Sequence, residues 1–105
     1  MRVTAWNNGS HHSTGAGYGI RLSPEDRDLY FSHAWDHVVV DLVDSGHAAI
    51  SLSDSFWARC TELRSADVGR WLISQRLAPW PKGSPPTLLL AHLGGNAFRL
   101  ARSDR

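Results

Sequence analysis

The apolar residues of this chain arrive in short runs that alternate or favour β-branched side chains, and each run is cut off by glycine, proline or a polar cluster. Such a pattern favours strands over long helices, because a half-buried strand repeats every two residues. Arg2–Trp6 alternates weakly, and Tyr18–Leu22 alternates again. His37–Val43 is rich in valine, turns at Asp44-Ser45-Gly46 and pairs back through His47–Leu52. Thr87–Leu93 and Ala97–Arg102 flank Gly94-Gly95-Asn96, which reads as a second hairpin turn. Two segments break the pattern. Ser23-Pro24-Glu25-Asp26 starts a short helix ending near Phe31, with serine as N-cap, proline in the first position and acids in the first turn. Ser65 caps a second helix, in which Val68, Trp71, Leu72 and Gln75 share one face. Pro79–Pro86 cannot continue that helix and reads as a rigid loop. About six strands and two helices predict a mainly β fold, a compact barrel with the helices as caps.

At 105 residues the chain holds one domain, residues 1–105, with no room for a second core. Its five tryptophans are many for this length, and a core this small needs them. Trp35, Trp71 and Trp80 are therefore expected to be structural. The lone Cys60 cannot form an intramolecular disulfide, the first residues carry no apolar leader, and no apolar run reaches membrane-spanning length. An intracellular, cytoplasmic chain that contacts no membrane is the expectation. The formal charge is only +1, but it is unevenly distributed. Residues 1–52 hold three arginines against six acids, and residues 53–105 hold eight basic residues against four acids. A near-neutral total of this kind can conceal a basic face.

Two polar segments concentrate binding chemistry. The first, Asn7–Tyr18, includes Asn7, Asn8, Ser10, His11, His12, Ser13 and Thr14 among three glycines. Amides and hydroxyls can read base edges, and backbone N–H groups can hold phosphates. Gly15–Gly19 lacks the lysine of a phosphate loop and leads into a strand, which excludes a nucleotide loop. His11 and His12 are adjacent on an extended chain and point to opposite sides, which argues against a metal site, and no cofactor is expected. The second segment, Ser53–Arg64, mixes Ser53, Asp54, Ser55, Trp57, Arg59, Glu62 and Arg64. Arginine can fork to guanine or phosphate, carboxylates can accept from cytosine, and tryptophan can stack. Phe56 and Leu63 in the same segment read as core. Lys82, at a stiff turn between prolines, can touch a phosphate or simply turn the chain.

The order of elements resembles a known superfamily. Gly69–Leu77, the proline-rich loop, Thr87–Leu93 and Phe98-Arg99-Leu100 look like the end of a DNA-binding pseudobarrel. The polar arm Asn7–Gly17, strand Tyr18–Leu22, helix Pro24–Phe31 and hairpin His37–Leu52 resemble its first half. Members include the plant B-three transcription-factor domains and the effector domains of EcoRII-type restriction endonucleases. The chain differs from the plant domains in having Ala78–Gly83 where they carry a Gly-Asp turn, and in lacking their basic arm. The resemblance implies an open pseudobarrel of seven strands or fewer. It also implies two arms, Asn7–Tyr18 and Ser53–Arg64, that enter the major groove of double-stranded DNA without catalysis. Arg21, Arg59, Arg64 and Lys82 are then expected at phosphates or guanines. A separate nuclease or regulatory subunit is an expected user of such binding, in restriction, defence or transcription. Two other classes remain open. One is a small nuclease using His11 or His12 with His33, His37, His47 or His92 as partner. The other is a protein-interaction module without nucleic acid.

Overall fold

A computed structural model of the protein describes residues 1–10 and 12–103. Seven strands form one sheet: β1 (Arg2–Asn7), β2 (Tyr18–Arg21), β3 (His37–Leu42), β4 (His47–Ser51), β5 (Glu62–Arg64), β6 (Thr87–Gly94) and β7 (Ala97–Arg102). Their order is β4-β3-β7-β6-β1-β2-β5. All neighbours are antiparallel except β3 and β7, which run parallel. The sheet curls until its edge strands β4 and β5 approach one another, giving a nearly closed barrel that agrees with the mainly β pseudobarrel expected.

Three short helices accompany the sheet, one more than expected: α1 (Pro24–Tyr30), α2 (Asp54–Ala58) and α3 (Ala66–Ser74). Each begins at a serine whose hydroxyl accepts a backbone N–H of the first turn: Ser23 from Asp26, Ser53 from Phe56 and Ser65 from Val68. The additional helix α2 is five residues long, too short to show a helical period in the sequence. The seventh strand, β5, is only three residues long and also lay inside the second polar segment.

Inward side chains of the strands meet α3 and Phe56 of α2 in one core. Trp71, Tyr18, Phe56, Phe98, Ile20 and Leu72 are among its largest fully buried members. Trp71 reaches through the core and donates its Nε1–H to the Val43 carbonyl at 3.0 Å, which ties α3 to the β3–β4 hairpin. Trp35 and Trp80 are half-buried and pack on the core's edge, and Phe56 and Leu63 lie inside it as expected. Among the described residues no helix is long and apolar enough to cross a membrane.

Candidate nucleic-acid interface

Strand alternation puts Val3 and Ala5 of β1 into the core and leaves Arg2, Thr4 and Trp6 outside. Pairing then builds rows across the outer face. Thr4 stands beside Arg21 of β2, and Arg21 beside Glu62 of β5. In the next row Trp6 pairs with Gly19, and Gly19 with Arg64. No side chain at position 19 separates the outer two. The Arg64 guanidinium lies over the Trp6 ring at 5.0 Å from its centre. A Cβ at Gly19 would meet the Leu63 carbonyl oxygen at 2.3 Å, so this close approach requires glycine.

Glu62 organises the face. Its carboxylate is almost fully covered, at 5% exposure, while Arg21 and Arg64 remain 56% and 57% exposed. One oxygen accepts from Arg21 Nε at 3.2 Å and the other from an Arg64 terminal nitrogen at 3.3 Å. The carboxylate thus fixes both guanidinium groups from beneath and leaves their other N–H groups directed away from it. Arg2 and Arg59 join these two around an open groove of about 920 Å³, also lined by Thr4, Trp6, Cys60 and Thr87. Four guanidinium groups therefore line it against one carboxylate.

The two polar segments enter this face at opposite ends. The first leaves β1 at Asn7 and returns at Tyr18, one residue before the Gly19–Arg64 pair; the second enters β5 at Glu62, beside Arg21. The first segment is a folded arm. Asn7 Oδ1 accepts from Gly9 N at 2.8 Å and Asn8 Oδ1 from Ser10 N at 3.0 Å, so their side-chain oxygens hold the turn. Thr14 Oγ1 accepts from Ala16 N at 3.4 Å. Arg70 of α3, ion-paired to Asp67, donates to the Thr14 carbonyl at 2.8 Å. Gly15 lies against Ala66 and Gly69, and a Cβ on it would reach the Ala66 carbonyl oxygen at 2.1 Å. His12, Ser13 and Thr14 are exposed and Ser10 is half-buried. His11 lies outside the described residues. Tyr18 is buried edge-on to Trp80 at 5.8 Å, and burial pushes its phenol above the ordinary value.

In the second arm Ser53 caps α2 and meets the Ser55 hydroxyl at 2.8 Å, with Asp54 exposed beside them. Trp57 is half-buried, with His33 stacked on it at 3.7 Å and the Arg27 guanidinium 5.8 Å from its ring centre. Arg27 also donates to the Phe56 carbonyl at 3.1 Å, which pins α2 to α1. Arg59 ends α2, is exposed and faces the groove. Lys82 is exposed in the turn between α3 and β6 and is not among the groove-lining residues. Arg2, Thr4 and Trp6 were not singled out in the sequence, although the alternation of β1 already sets them on the outer face.

Among the described residues, three of the histidines have partners of their own. His33 is stacked on Trp57, His37 contacts Asp36 at 2.6 Å, and His92 contacts the Gly95 carbonyl at 2.7 Å. Among the described residues no cluster of three histidine, cysteine or carboxylate side chains is arranged to hold a metal. Compared with known proteins, the chain matches no family model, no curated protein and no solved structure.

Proposed function

We propose that this protein is a sequence-specific double-stranded DNA-binding domain that sets its arginine-lined groove on the duplex backbone and its two arms in the major groove. The observation that carries the proposal is the four-arginine groove on β1, β2 and β5, flanked by both polar arms. Phosphate contacts position a protein on DNA, and base-edge contacts from flanking elements select the sequence. Arg2, Arg21, Arg59 and Arg64 supply the first kind of contact. Asn7, Asn8, Ser10, His12, Ser13 and Thr14 of one arm, with Ser53, Asp54 and Ser55 of the other, supply the second. Asn7 and Asn8 use their oxygens internally and keep their Nδ2 amides as donors. Glu62 acts as a positioning residue beneath Arg21 and Arg64. The resemblance to the DNA-binding pseudobarrels supports the same reading, and the seven-stranded, nearly closed barrel is consistent with it. On this reading the domain recognises a site and a separate nuclease or regulatory subunit acts there.

Selection of bound duplexes from a random pool, with modified bases included, tests the proposal. Enrichment of one motif is the expected result. A pool that stays random after repeated rounds at low salt overturns sequence-specific binding.

A further inference from the structure

Long polar segments between strands are ordinarily the most mobile parts of a small domain. Both arms are instead fastened by the same device. On α3, Arg70 is ion-paired to Asp67 and donates from Nη1 to the Thr14 carbonyl of the first arm at 2.8 Å. On α1, Arg27 is ion-paired to Asp28 at 2.9 Å and donates from Nη1 to the Phe56 carbonyl of the second arm at 3.1 Å. In each case an acid of the same helix orients the guanidinium, and a terminal N–H is left for a peptide carbonyl of the arm. Neither arginine lines the groove. The surroundings are shaped to match. Gly69 stands inside α3, where glycine lowers helix stability, and a Cβ on it would meet the Gly15 carbonyl oxygen at 2.2 Å. The helix thus gives up a side chain where the arm lies against it. At its base the first arm is closed by Asn8 N donating to the Gly17 carbonyl at 2.9 Å. The second arm has Phe56 in the core and the Trp57 ring against His33 and Arg27.

We propose, resting on the DNA-binding reading above, that Arg70 and Arg27 are positioning residues that hold the two arms in their base-reading shape before DNA is met. The sequence preference then depends on two arginines outside the groove. The physical reason is entropic. A loop that must order itself on the duplex loses conformational freedom at that moment, and the loss is subtracted from the favourable contacts. Contacts to phosphates bear little of it, because Arg2, Arg21 and Arg64 stand on paired strands. Contacts from the arms to base edges bear all of it. Loosening an arm therefore weakens binding to the preferred duplex and leaves attachment to the backbone as it was.

Backbone amide relaxation of the full chain by NMR, followed by competition between the selected duplex and a scrambled one, tests it. In the wild type the order parameters of Asn8, Gly15 and Ala16 in the first arm, and of Phe56 and Trp57 in the second, are expected near the roughly 0.85 of rigid backbone. Arg70→Met removes the donors, and because Arg70 is exposed the core is untouched. It is expected to drop the first arm toward about 0.6 and leave the second unchanged, and Arg27→Met is expected to do the reverse. Each variant is expected to lose about tenfold or more in the ratio of specific to non-specific affinity, with the salt slope of wild type. Wild-type arms that are already mobile overturn the proposal. So does an Arg70→Met protein whose first arm stays ordered, or whose specificity ratio is unchanged. A slope shallower by about 0.9 makes Arg70 itself a phosphate contact and overturns it too. A chain that binds no duplex while its arms respond as stated refutes the proposed function and not the fastening of the arms. Should Arg27→Met fail to fold, Arg70→Met decides alone.

Discussion

Replacing Glu62 by glutamine keeps the shape of the side chain and removes the charge that holds Arg21 and Arg64. The wild-type carboxylate accepts one hydrogen bond from each arginine, at 3.2 and 3.3 Å. Glutamine can accept only with its oxygen, and its amide hydrogens then face the second guanidinium. Both arginines are more than half exposed, so solvent screens the lost attraction, and the fold should lose only about 1 kcal/mol. The effect on DNA binding is larger and has two parts. One negative charge fewer in the groove strengthens attachment to any duplex. Two released guanidinium groups no longer fix the register in which the arms meet the bases, which weakens attachment to the preferred duplex by about 1–3 kcal/mol, the worth of a hydrogen bond to a charged group. The ratio of specific to non-specific affinity should therefore fall by about 5- to 150-fold, whereas non-specific affinity should hold or rise. Competition anisotropy with the selected duplex against a scrambled one reads both quantities. A specificity ratio equal to wild type in a folded Glu62→Gln protein would refute the positioning role of this carboxylate.

Further expectations concern single groups. Arg59→Ala leaves the fold intact, because the exposed side chain only ends α2, and should weaken binding to every duplex alike, by about 1–3 kcal/mol, as the loss of a phosphate contact does; unchanged titration curves remove Arg59 from the interface. Gly15→Ala places a Cβ where the Ala66 carbonyl oxygen stands, at a φ of +87°, and should cost about 1–3 kcal/mol in urea unfolding while loosening the first arm. A wild-type midpoint for that variant contradicts the docking of the arm on α3. The hydrogen bond from His37, and then its charge, hold the Asp36 carboxyl below its ordinary range. Its folded value is depressed, so its contribution is present above the unfolded value and is lost as pH falls through the folded one. Asp36→Asn should accordingly flatten the acid end of the stability profile, and an unaltered profile removes Asp36 from it.

The parts of the fold visible in the sequence were those with a strong local signal. The caps at Ser23 and Ser65, the valine run of β3 and the turns at Gly46 and Gly94-Gly95 mark their elements without tertiary help. β5 was not visible, because three residues cannot display alternation and its pairing with β2 is set across the fold. The candidate site divides the same way. Arg21, Arg59, Arg64 and Glu62 stood out by chemistry, but the clamp of one carboxylate between two arginines depends on a cross-strand register no local pattern encodes. Trp6 and Arg2 carry no local signal for the converse reason: alternation exposes them, but only the neighbouring strands make that exposure a groove. Tyr18 and Trp57 sat in polar segments, yet the barrel draws one into the core and engages the other with His33 and Arg27.

In the proposed function the arginine groove holds the backbone of duplex DNA. The most direct measurement is the affinity for the selected duplex as salt is raised, for wild type and for Arg21→Ala with Arg64→Ala combined. Each phosphate neutralised contributes about −0.9 to the slope of log K against log salt, so four groove arginines predict a slope of about −3.6. The double variant should bind more weakly, with a slope shallower by about 2. Binding that is indifferent to salt, or a slope that the double substitution leaves unchanged, would contradict the account.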